Sequence, residues 1–185
     1  MAYDLPLLNR EVGVIALKNI LVATDFSESA DAALRYGMEL ARKYGAALHV
    51  LHVVEDLAVH PGPIPGLGTD NGPLQTALED GARANLASLV PERERARLRT
   101  RLHVMVASAA GRAILSYARD SEIDLIVVGT HGRHGLQHFF LGSVAQQVSR
   151  LAECPVLTVR AHERDFVHPD VLKPAVTVSG THHKA

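Results

Sequence analysis

The sequence is poor in cysteine: Cys154 stands alone. No disulfide framework can therefore form within one chain, and no zinc site can be built from cysteines. A reducing compartment is the natural setting for such a chain. An excess of either charge is missing too, since 19 Lys and Arg face 20 Asp and Glu for a formal net charge of −1. That balance gives no reason to expect a dedicated nucleic-acid or anionic-membrane binder. No apolar run approaches the roughly 18–20 residues needed to span a bilayer. The opening residues Met1-Ala-Tyr-Asp-Leu-Pro6 have neither the basic start nor the apolar stretch of a secretory signal. A cytoplasmic protein is expected.

What is present fits a globular domain. Apolar residues make up 47% and charged residues 21% of the 185, close to the soluble average. The length suits one domain that buries its own core without staples. Asn19-Ile-Leu-Val-Ala-Thr24 is a short apolar run of the kind that forms a strand covered on both faces. Behind it, Ala30, Ala33, Leu34, Gly37, Met38 and Ala41 recur at helical spacing, with Ser27 placed to cap the start and Gly45 to stop the helix. Further strands are predicted over 47–54, 102–106, 124–129 and 155–159, and further helices over 74–89, 110–118 and 143–152. Strands alternating with helices mean βαβ units, a mainly parallel doubly wound sheet and an α/β fold with helices on both faces. Residues 57–73 interrupt the pattern with Pro61, Pro63, Pro65 and Pro73 among Gly62, Gly66, Gly68 and Gly72, and no regular element is expected there. Residues 1–17 read as an N-terminal arm, 18–160 as the domain and 161–185 as an extended tail.

In an open parallel sheet, ligands sit beyond the C-terminal strand ends where the strand order reverses. Two segments leave such ends: Ala23-Thr24-Asp25-Phe26-Ser27 after the first strand, and 129–143 after the fourth. In the latter, Gly129 and Gly132 lie three apart, and Gly142-Ser143 then opens a helix. Glycines let main-chain N–H groups approach an anion closely, and a helix N-terminus adds unpaired donors and a favourable dipole. The bland alternative is that these glycines only turn the chain. The segment is not a Walker loop, because no Gly-Lys-Ser/Thr closes it. The first βα turn holds no glycine, so the dinucleotide fingerprint is also absent. Arg133 could pair a phosphate bidentately. His131, His134 and His138 read as a solvated fringe rather than a metal site. His49 and His52, three apart on one strand, must face opposite ways and read as structural. The run Arg93, Arg95, Arg97, Arg99 and Arg101 reads as a solvated helix end, with recruitment of an acidic partner or nucleic acid as the alternative. Cys154 reads as a small apolar group.

Three blocks carry a family likeness: Asn19-Ile-Leu-Val-Ala-Thr-Asp-Phe-Ser-Glu28, Leu48-His-Val-Leu-His-Val-Val-Glu55, and Asp124 through Arg160 with its Gly-x2-Gly-x9-Gly-Ser spacing. Over about residues 18–160 the sequence resembles the universal stress protein family, and that spacing is similar to its ATP-binding branch. The resemblance implies five parallel strands in the order 3-2-1-4-5, a homodimer paired through the last strand (155–160), and a stress-response regulator that binds ATP, AMP or ADP. Carried onto this sequence, it places Asp25 near ribose and phosphates and Ala23 and Thr24 beside the adenine. The Val53 backbone would meet the adenine edge, while Gly129, Gly132, Gly142, Ser143 and Val144 would hold ribose and phosphates. Ala23 stands where part of the family has proline. A carboxylate beside phosphates calls for a bridging cation, so Mg2+ at Asp25 is expected with a triphosphate. Binding is better supported than catalysis, because rapid phosphoryl transfer needs a placed base, a charge-neutralising cation and a metal. Slow ATP hydrolysis and an interaction module without nucleotide are the alternatives.

Overall fold

The computed structural model describes residues 15–59, 71–130 and 142–161. Its centre is a five-stranded parallel sheet in the order β3-β2-β1-β4-β5. The strands are β1 (Asn19–Ala23), β2 (Ala47–Glu55), β3 (Arg101–Ala107), β4 (Leu125–Gly129) and β5 (Val156–Val159). The helices are α1 (Glu28–Tyr44), α2 (Gly72–Leu89), α3 (Glu92–Arg97), α4 (Ala110–Asp120) and α5 (Ser143–Leu151). This is the α/β architecture and strand order that the sequence led us to expect.

Strand periodicity divides the core into two layers. Ile20, Val22, Leu48 and Val50 point to one face, where Ala33, Leu34, Tyr36 and Ala41 of α1 and Leu86 of α2 cover them. Leu21, Leu51, Ile126 and Val128 point to the other, beneath Ile114, Tyr117 and Ala118 of α4 and Ala145 and Val148 of α5. Because side chains alternate along a strand, a central strand must be apolar at every position to serve both layers. β1 and β4 are accordingly continuous apolar runs. α1 starts at Ser27, whose Oγ accepts the Ala30 N–H at 3.4 Å. It ends at Gly45, where φ of +66° closes the helix in the left-handed region open to glycine.

The stretch 57–73 differs from expectation at both ends. Leu57–Val59 forms a 3-10 turn, and α2 begins at Gly72. Pro73 lies in the first turn of α2, where its missing N–H has no partner to lose, so this proline starts a helix instead of breaking one. Gln75 Oε1 accepts the Leu57 N–H at 3.0 Å and ties the two ends together. Residues 60–70, and the readings made for 1–14 and 162–185, lie outside the described residues. Beyond Pro91, where the sequence suggests only a solvated helix end running into a strand, the structure forms the separate helix α3. Pro91 divides it from α2 and serves as its N-cap residue.

Candidate functional site

The strand order reverses between β1 and β4, with Ala23 in register with Val128. The crevice beyond their C-terminal ends is the place where a parallel sheet leaves room for a ligand. Its first wall is the turn from β1 into α1. Thr24 N donates to Leu51 O at 2.9 Å. Thr24 Oγ1 then accepts the Phe26 N–H at 3.0 Å, and Asp25 Oδ1 accepts the Ser27 N–H at 3.1 Å. These two side-chain turns hold Phe26 at φ +63°, a left-handed conformation that a bulky residue rarely adopts. From β2, His52 Nδ1–H donates to Thr24 O at 2.8 Å, and its ring lies 4.4 Å from the Phe26 ring between centroids. His52 thus braces the turn that carries Asp25. Sequence periodicity placed His52 on the face opposite His49, and the structure agrees, since His49 meets Tyr117 of α4. That His52 lies under Thr24 needed the strand register, which no local pattern reveals.

The second wall comes from β4 and α5. A Cβ on Gly129 would lie 2.6 Å from Ser29 Oγ and 2.7 Å from the Ser29 carbonyl carbon. The absent side chain therefore lets the first turn of α1 close against the end of β4, a packing duty distinct from both the phosphate role and the simple turning of the chain expected from the sequence. Thr130, which is buried, donates its N–H to Val159 O at 2.8 Å, and its own carbonyl accepts the Gly142 N–H at 2.6 Å. The chain thus leaves β4 and returns to the same point to begin α5. Gly132, Arg133, His131, His134 and His138 fall between, at 131–141, outside the described residues.

The two helix N-termini at this crevice differ in charge. α1 has the Ser27 cap, with Glu28 and Asp31 in its first turn. α5 has Gly142 at its N-cap, no side-chain cap bond among the described residues and no acid in its first turn. The positive end of α5 is therefore the one left for an anion, and its first residues are Ser143 and Val144. Gly142 itself has φ −54° and ψ 150°, a conformation open to any residue. Ala23, Val53 and Val144 are partly buried against the same core layer, together with Met105. The structure thus brings a small apolar floor, the Thr24–Asp25 turn and the α5 N-terminus to one crevice. Among the described residues no group of three metal-ligating side chains occurs, so a cation here would rely on ligand oxygens to complete its shell. Cys154 is partly buried, and burial raises its thiol pKa, which disfavours the reactive thiolate.

Comparison with known proteins places this geometry in a group. The sequence model of the universal stress protein family matches residues 16–160. Universal stress protein A homolog 1 of Coxiella burnetii is 34% identical over 147 residues, covering 77% of this chain and 95% of that protein. The solved universal stress protein UspA from Lactobacillus plantarum superposes with a TM-score of 0.64 at 27% identity, over 80% of this chain and all of that one. A universal stress protein solved in complex with cAMP aligns at 25% identity with a TM-score of 0.51, over 80% of this chain and 99% of that one. With the family's sequence pattern running through all five strands, this chain belongs to the universal stress protein family.

Proposed function

We propose that the protein binds an adenine nucleotide (ATP, AMP or ADP) in the crevice between β1 and β4, and acts as a stress-response regulator whose loop order and dimerisation depend on that nucleotide. The observation that carries this reading is the bare N-terminus of α5 at the switch point, beside the floor of Ala23, Val53 and Val144. The phosphates would meet the Ser143 and Val144 amides, with Gly129, Gly132, Gly142 and Arg133 around them. The base would lie against Ala23, Thr24 and the Val53 backbone, with Asp25 toward the ribose. A relative solved with cAMP supports the adenine class of ligand. Mg2+ would enter with a triphosphate, bridging Asp25 and phosphate oxygens.

The same geometry favours binding over turnover. Asp25 is tied to the Ser27 amide and shapes the turn, a poor posture for a base in line with a leaving phosphate. At most slow hydrolysis is expected. β5 lies at an edge of the sheet, and pairing of residues 155–160 with a second copy would satisfy its outer main-chain groups. Among the described residues no helix is long and apolar enough to cross a membrane, and we take the protein to work in the cytoplasm. Calorimetric titration with ATP and Mg2+ tests the reading: saturable binding near one nucleotide per chain is expected. Absence of heat with ATP, ADP and AMP alike would return the chain to the class of interaction modules without nucleotide.

A further inference from the structure

The alternating arginines after Pro91 do not form one stripe. Within α3, Arg95 pairs with Glu92 at 2.7 Å and Arg97 reaches Glu94 at 4.0 Å, while Glu94 also holds Arg42 of α1 at 2.8 Å. Arg95 and Arg97 are thus paired within their own helix. Arg99 and Arg101 instead continue to the N-terminal end of the sheet, the pole opposite the β1–β4 crevice. There they line a hollow of about 700 Å³ with Lys18, Asn19, Tyr44 and Ile15. Among the described residues no carboxylate lines it, and Lys18, Arg99 and Arg101 make no ion pair. Lys43 adds a fourth cation beside it, with Nζ 5.9 Å from the centroid of the Tyr44 ring. The nearby Asp124 carboxylate is spent on the main-chain N–H groups of Lys18 and Asn19, at 2.6 and 2.8 Å.

The hollow is built by the fold. Arg99 adopts φ +47°, and its Nη2–H donates to Gly45 O at 2.6 Å, capping the negative end of α1. This contact fixes the chain just before β3, so that Arg101 starts the strand beside His49 while Lys18 is held next to Ala47. Three cationic residues thus line one hollow, with Lys43 nearby, in a chain whose net charge is −1. Apolar surface accompanies them: Ile15 is 69% and Tyr44 40% exposed.

We propose that this hollow is a docking site for an acidic segment of a partner protein, with carboxylates set against Lys18, Lys43, Arg99 and Arg101 and an apolar side chain set against Ile15 and Tyr44. Charge complementarity commits it to an anion. The limited extent of the patch, three cationic residues around one hollow, selects a short segment over a nucleic acid, whose affinity rests on many phosphate contacts. The proposal stands independently of nucleotide binding at the other pole.

Fluorescence anisotropy of the full chain with a short labelled peptide of alternating Glu and Leu tests it. Saturable binding is expected that weakens with added salt, falls about tenfold or more in Lys18→Glu/Arg101→Glu, and is unchanged in Arg97→Glu. Lys18→Gln/Arg101→Gln, which removes charge without reversing it, gives an intermediate loss and serves if the double reversal does not fold. No saturable binding to the wild type, or an equal loss in Arg97→Glu, would overturn the proposal. So would displacement of the peptide by a single-stranded oligonucleotide at a lower concentration than unlabelled peptide requires, which would make the hollow a nucleic-acid site.

Discussion

At the scale of single residues, His49 is the clearest case of chemistry set by surroundings. It is fully buried on β2, its Nδ1 is 2.9 Å from Tyr117 Oη, and its Nε2 has no hydrogen-bond partner among the described residues. Burial first, then the charges of Arg101 and His103, lower its pKa from 6.5 to about 4. The unfolded chain therefore binds a proton that the folded chain refuses between those two values. Stability is full above about pH 6.5 and declines as the pH falls toward 4, by up to about 3 kcal/mol from this residue. Urea unfolding across that window should show the decline. His49→Leu, which leaves the Tyr117 hydroxyl its contact with Ser121, should flatten the slope. An unaltered slope would assign acid sensitivity to other groups.

At the scale of elements, the close seating of α1 on the sheet is what shapes the crevice. Gly129 admits the Ser29 backbone at a distance that a Cβ would violate. Main chain cannot yield as a flexible side-chain end can, so Gly129→Ala should cost about 1–3 kcal/mol, the usual range for overpacking. The urea midpoint should fall with little change in the m-value; a midpoint equal to the wild type would mean that α1 shifts freely. Legibility in the sequence also belongs to this scale. β1 and β4 were visible because a strand covered on both faces must be apolar throughout, and α1 because its stripe ran between Ser27 and Gly45. α3 was invisible as a separate helix: six residues, ERERAR, hold no apolar stripe. The beginning of α2 was hidden because Pro73 reads as a breaker until its place in the first turn is known. At the site, Gly142-Ser143 was legible as strand-then-helix spacing. The contacts of His52 with Thr24 and of Ser29 with Gly129 were not, because each joins elements whose adjacency depends on register.

At the scale of the whole molecule, the sheet has two poles and two edges, one of them β5. Pro155 O accepts from Ile126 N, and Val159 O accepts from Thr130 N. In a parallel ladder these alternate residues face β4, so Thr158 directs its N–H away from the sheet. If two copies pair through β5, as proposed, Thr158→Pro removes an intermolecular donor while sparing the β4 ladder. Sedimentation should then move from dimer toward monomer at equal concentration, with the fold retained by circular dichroism. A dimer of undiminished stability would place the interface elsewhere.

In the proposed complex the Ser143 and Val144 amides at the start of α5 receive the phosphates. Thermal unfolding with and without ATP, in the wild type and in Gly142→Glu, tests this contact most directly. Gly142 has an ordinary extended backbone, and a carboxylate at a helix N-terminus favours the helix, so the variant should fold as well as the wild type while repelling phosphates. The wild type should be stabilised by about 2.7 kcal/mol at a hundredfold excess of ATP over Kd, and the variant not at all. A variant stabilised by ATP as strongly as the wild type would contradict this placement of the phosphates.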